Sequence, residues 1–123
     1  MDNSSPFTSH QFQLLNRFAE LLAHTADAVG DWEEIFHDIR RERDCSLDRT
    51  ILLYAGTRQL IRLPTNAVEV QTRLLQLNEL ANDREWYGLS IHINNVGHCD
   101  VQYNFDPNCI ETFAADEKAH RPF

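Results

Sequence analysis

The sequence predicts an α+β fold: one antiparallel sheet of about five strands with helices packed on one face, in the order α-β-β-β-α-β-β-α. Three observations carry this. The block Trp86–Asp106 reads as two alternating strands around a turn containing Gly97. The stretch Arg49–Leu63 reads as a second hairpin, and two stripes at helical spacing lie over residues 10–28 and 67–82.

Residues 1–9 are polar, with one proline, and form a flexible lead-in to a single α+β domain over 10–120. The first helix, His10–Ala28, repeats Phe12, Leu15, Phe18, Leu22 and Ala26 at three- and four-residue steps. Ser9 is a suitable N-cap and Gly30 a stop. The next segment, 32–42, fits either element. Ile35, His37 and Ile39 alternate as in a strand, while Trp32, Ile35, Phe36 and Ile39 also make a helical stripe. The strand reading is preferred because two clearer strands follow at once and need a partner.

Those two strands are Arg49–Ala55 and Arg58–Leu63, pivoting near Ala55-Gly56-Thr57. Asn66 with Glu69 has the spacing of a capping box for a helix over Ala67–Asn82, which buries Val70, Leu74, Leu77 and Ala81. The closing hairpin pairs Trp86–Asn94 with His98–Phe105; Leu89, Ile91 and Ile93 alternate with Ser90 and His92, as do Val101, Tyr103 and Phe105 with Gln102 and Asn104. One dry and one wet face follow, with Trp86, Tyr103 and Phe105 assigned to the core. A short helix over Cys109–Lys118 and a loose Arg121–Phe123 tail complete the chain.

Composition narrows the function. Eleven Lys+Arg against nineteen Asp+Glu give a formal charge of −8, and of the basic residues only Lys118 is a lysine. Such a field disfavours the polyanionic partners, nucleic acid and anionic membrane, and speeds encounter with a basic protein. The three cysteines (Cys45, Cys99, Cys109) lack metal-ligand spacing and suit reduced thiols. The first residues lack a basic and an apolar region of the secretory kind, and no apolar run approaches the roughly 20 residues that span a bilayer. A cytoplasmic location is expected.

No catalytic device stands out. The four glycines, Gly30, Gly56, Gly88 and Gly97, lie too far apart for a phosphate-binding loop. The strongest metal candidate, His92, His98, Cys99 and Asp100, is split between faces by strand alternation, so no metal or cofactor is expected and zinc should not raise the melting temperature. Neither Cys45 nor Cys99 shows an adjacent base with an oxyanion site. The pairs Glu33-Glu34 and Asp116-Glu117 lack an apolar pocket that would tune one of them. The chain is therefore not expected to be an enzyme. The candidate contact residues for a basic partner are Glu33, Glu34, Asp38, Glu42, Asp44 and Asp48 in one acidic stretch, with Asp100, Asp106 and Glu111 near the other end. Reversing Glu33, Glu34 and Asp38 to lysine is expected to slow association more than it harms folding.

Asp31-Trp-Glu-Glu, the Leu52-Leu-Tyr hairpin, Trp86 with Leu89, and Gly97 through Tyr103-Asn-Phe-Asp106 together resemble the YezG-like immunity proteins, over most of residues 10–115. The resemblance implies a small cytoplasmic antidote to a polymorphic or contact-dependent growth inhibition toxin. It implies stoichiometric binding to the cognate toxin C-terminal domain, commonly a basic nuclease, with occlusion of its active site or substrate path. It supplies no contact residues, because immunity surfaces diverge between pairs. A regulatory adaptor that binds a basic protein or peptide fits the same charge. A small enzyme with an unrecognised site would instead need a deep pocket holding perturbed His or carboxylate groups.

Overall fold

The computed structural model describes residues 9–42, 45–80 and 85–113. Helix α1 (Ser9–Asp27) is followed by β1 (Trp32–Glu42), β2 (Cys45–Tyr54), β3 (Thr57–Ile61), α2 (Thr65–Glu79), β4 (Gly88–Asn94) and β5 (Cys99–Asn104), and then by a 3-10 turn, Cys109–Thr112. The five strands form one antiparallel sheet in the order β3-β2-β1-β4-β5. The fold is thus α+β, with a five-stranded antiparallel sheet and two long helices, but β2 begins at Cys45 rather than Arg49. Helix α1 buries Gln11 and leaves Phe12 exposed. Helix α2 buries Ala67, Gln71, Leu74 and Asn78 where Val70, Leu74, Leu77 and Ala81 were expected, Ala81 lying outside the described residues. No described helix is long and apolar enough to cross a membrane.

The ambiguous segment 32–42 is the central strand. Its residues from His37 to Arg41 are buried whichever face they lie on, so its sequence shows no clean period of two. Cross-strand partners share a face, which sorts the sheet into two surfaces. Ile35, His37 and Ile39 sit beside Ile93, Ile91 and Leu89 on the helix side. Phe36, Asp38 and Arg40 sit beside His92, Ser90 and Gly88 on the other. Helices α1 and α2 pack on each other and on the first surface, where Phe18, Leu22, Leu52 and Leu74 join those residues in one apolar core.

His37 is embedded in that core and is fully polar-satisfied. Its Nε2 donates to Gln71 Oε1 of α2 at 2.6 Å, and the Thr50 hydroxyl donates to its Nδ1 at 2.8 Å. The Phe18 ring meets its edge at 5.0 Å. Burial holds the imidazole neutral by pushing its pKa below the ordinary value, against the opposing pull of Gln71, Asp48 and Asp38. The unfolded chain therefore binds a proton that the folded chain refuses. Stability is expected to fall as pH drops below about 6.5, by up to roughly 1.4 kcal/mol per pH unit. Urea unfolding between pH 7.5 and 5 checks this; a His37→Gln variant should lose that component of the slope, and an identical slope would remove His37 as its source.

Strand β4 starts two residues later than its alternation suggests. The buried Asn78 side chain takes up the Trp86 backbone, accepting from its N–H at 3.0 Å and donating to its carbonyl at 2.8 Å. With both groups engaged, Trp86 cannot join the ladder, which begins at Gly88. Helix α2 likewise begins at Thr65 with Pro64 at the N-cap and no side-chain cap, so the Asn66 capping box does not form. Proline just before a helix supplies a preset φ and forgoes an N–H that lacks a helical partner. Trp86 is buried as expected and Tyr103 half-buried, its hydroxyl pushed up to about 12 by burial. Phe105 is 52% exposed and is not core.

The expected closing helix over Cys109–Lys118 differs in kind and in place. Its described part is the single 3-10 turn Cys109–Thr112; residues 114–118 lie outside the described residues. The turn packs on the face opposite α1 and α2, so the helical elements do not all gather on one side. Arg40 donates from one terminal nitrogen to the Cys109 carbonyl at 2.7 Å and to the Thr112 hydroxyl at 3.1 Å. The Phe113 ring lies 4.0 Å from the Arg49 guanidinium. Gly88 makes room beneath: a Cβ there would stand 2.9 Å from Asn104 Cβ and 3.3 Å from Cys109 Sγ. Gly88→Ala is expected to cost about 1–3 kcal/mol by overpacking and to loosen the turn. Denaturation and proteolysis after residue 105 measure the two effects; unchanged stability would mean that the turn is not seated as described.

Candidate binding face

The side of the sheet opposite α1 and α2 is built in rows across the strands. One row runs Leu60, Ile51, Phe36, His92, Asp100 from β3 to β5. The next runs Arg49, Asp38, Ser90, Gln102. Between them lies a depression of about 190 Å³, the volume of one large side chain. The 3-10 turn covers the third row, at Arg40 and Gly88, and bounds the depression at that end.

The floor is a charged cluster held out of water. Asp38 Oδ1 accepts from Arg40 Nε at 3.3 Å and from the Ser90 hydroxyl at 3.1 Å, and Oδ2 accepts from an Arg49 terminal nitrogen at 3.3 Å. All three charged side chains are less than a tenth exposed. Alternation brings Asp38 and Arg40 to one face, and the β1–β2 register sets Arg49 directly opposite Asp38.

The wall is aromatic. Phe36 and His92 stand on paired positions with rings stacked 4.3 Å apart and 4° from parallel. Glu34 Oε1 meets His92 Nε2 at 2.8 Å, which holds the imidazole upright. On the outer strand β5 the Asp100 carboxylate and Gln102 amide form no side-chain hydrogen bond or ion pair among the described residues. They are the free polar groups of the rim.

The acidic candidates do not form one patch. Glu34 and Asp100 flank His92 on the open face. Glu33 is exposed and accepts from the Gly56 N–H at 2.8 Å, tying β1 to the β2–β3 turn. Glu42 is exposed at the far end of β1, about 30 Å from Glu33 at strand rise. Asp48 is exposed but pairs with Ile39, which puts it on the helix side. Asp106 caps the closing turn by accepting from the Asn108 N–H at 2.9 Å, and Glu111 is exposed on that turn. Asp44 lies outside the described residues. Asp38, expected as a surface contact, is 3% exposed and is structural. The lysine reversal of Glu33, Glu34 and Asp38 is therefore corrected: with Asp38 included, it would place a third cation between two buried arginines and unfold the chain.

Alternation had set His92 and Gln102 on the wet face, but Phe36 and Arg49 went unrecognised as site residues. The available signal was the i, i+2 spacing of Phe36, Asp38 and Arg40, opposite in phase to Ile35, His37 and Ile39.

Nucleophile chemistry is poorly served. Burial, then Asp100, pushes the Cys99 thiol up, and burial does the same to Cys109 despite the nearby Arg40. Cys99 pairs with Ile93, on the face opposite His92 and Asp100, so alternation divides that group as expected. Among the described residues no three His, Cys, Asp or Glu side chains converge as metal ligands do. The face offers a recess, an aromatic wall and, at Asp100 and Gln102, free acceptors among the described residues. No protein-family model matches the chain, and no curated protein matches it either.

Proposed function

We propose that this chain is an immunity-type inhibitor that binds a basic toxin domain, of nuclease character, through the face of its sheet opposite α1 and α2 and occludes the active site or substrate path. The observation that carries the reading is the recessed face itself. It is left uncovered by α1 and α2, it is walled by Phe36 and His92, and it is rimmed by the free Asp100 carboxylate. The resemblance noted above and the net charge of −8 point to the same kind of partner. A nuclease presents a basic groove to its polyanionic substrate, and an acidic surface docked there competes by charge and shape together.

The test is co-expression with the toxin domain encoded beside this chain, scored by survival and by co-purification. Rescue with a one-to-one complex is expected. Toxicity that persists with the inhibitor folded and abundant, and no complex, would reject the reading in favour of the adaptor. In the complex, Asp100→Lys should slow association roughly tenfold at low ionic strength and flatten its salt dependence, with the fold unchanged. Stopped-flow association at two salt concentrations measures this, and wild-type rates would place Asp100 outside the interface.

A further inference from the structure

We infer that the depression on the open face is a socket for an arginine side chain of the partner. This rests on the reading above for the source of that arginine, a basic protein, but not for the socket's chemistry. The recess has the volume of one long side chain. Beside the charged floor, Ile51 and the Phe36–His92 pair give its lining an apolar side that suits the aliphatic stem. Its β5 rim carries an unpaired carboxylate, Asp100, and an unpaired amide, Gln102, one residue row apart. A guanidinium placed there can donate two N–H groups to Asp100 in a fork and a third to the Gln102 carbonyl.

The choice of arginine over lysine follows from the wall. The imidazole of His92 stands beside Asp100, and a planar, weakly hydrated guanidinium packs against such a ring better than an ammonium does. The cationic end of the cleft does not compete. Arg49 lies on β2, three strand spacings from β5 or roughly 14 Å across the sheet, and its charge is met by Asp38. A cation therefore seats at the β5 end, beside Asp100 and away from Arg49.

Nitrogen-15 correlation spectra of the full chain, titrated with N-acetyl-arginine methylamide, test the socket. Saturable shifts are expected at Ser90, His92, Asp100 and Gln102. The lysine analogue should bind several-fold more weakly, and the norleucine analogue at least tenfold more weakly. Asp100→Asn should abolish the arginine response with the remaining spectrum unchanged. No saturable shift, an equal response in Asp100→Asn, or equal binding of the norleucine analogue would overturn the proposal. So would contacts to these resonances from a second copy or from the chain's own residues 114–123, since either would be a different occupant. Saturable arginine binding without rescue in co-expression supports the socket and removes only the immunity reading. Full rescue and wild-type affinity in Asp100→Asn overturn the socket and leave that reading standing.

Discussion

Asp38→Asn is expected to lower the unfolding free energy by about 3–5 kcal/mol, because it removes the carboxylate charge that two buried guanidinium groups share. The carboxylate is shared by Arg40 and Arg49 at 3.3 Å each, with a further hydrogen bond from Ser90. Asparagine keeps the shape and one acceptor but removes the charge, so the loss reads the electrostatic part. The two arginines then face each other across a floor that water hardly reaches. Replacing all three charged residues by apolar ones of similar volume should cost far less than the single change, since no orphaned charge remains. Urea denaturation of both variants decides the point. A single variant within about 0.5 kcal/mol of the parent would mean that water reaches the cluster freely.

Trp86→Ala is expected to cost about 3–5 kcal/mol, the range for emptying a buried aromatic site. Trp86 is 1% exposed and belongs to the core that joins the sheet to α1 and α2. Its backbone is held by Asn78, so the chain on either side cannot relax inward to fill the space. Trp86→Phe should cost distinctly less. It keeps most of the apolar volume and removes a buried indole N–H that has no hydrogen-bond partner among the described residues. Equal losses in the two variants would show that packing around the six-membered ring contributes little.

Much of the fold is legible in the sequence wherever one period dominates. Helices α1 and α2 and the Leu89–Ile93 strand each bury mainly one face, so one periodicity marks each, and the Leu52-Leu53 hairpin is marked by its β-rich run between Asp48 and Gly56. Strand β1 defeats the same reasoning because it is central. Its second face is buried by Asp38, Arg40 and the stacked Phe36, and those residue types look like a solvated surface until their partners are known. Arg49 meets Asp38 only through the β1–β2 register, which no local pattern states. The closing turn lies on the face opposite the expected one for a related reason. Nothing in Cys109–Thr112 itself says that Arg40 and Gly88 prepare a seat for it on the far side. Of the acidic candidates, Glu34 and Asp100 flank His92 and only Asp100 lines the recess beside the buried Asp38; the remaining described ones scatter over both faces and the strand ends.

The account stands on the face opposite α1 and α2 being the one that meets the partner. Hydroxyl-radical footprinting of the chain alone and in its co-purified complex reads this at side-chain level. Phe36, His92 and the 67% exposed Leu60 should be protected in the complex, while Phe12 and Val68 on the helix side keep their reactivity. Protection of Phe12 and Val68 with Leu60 and His92 unchanged would put the partner on the helices and contradict the account.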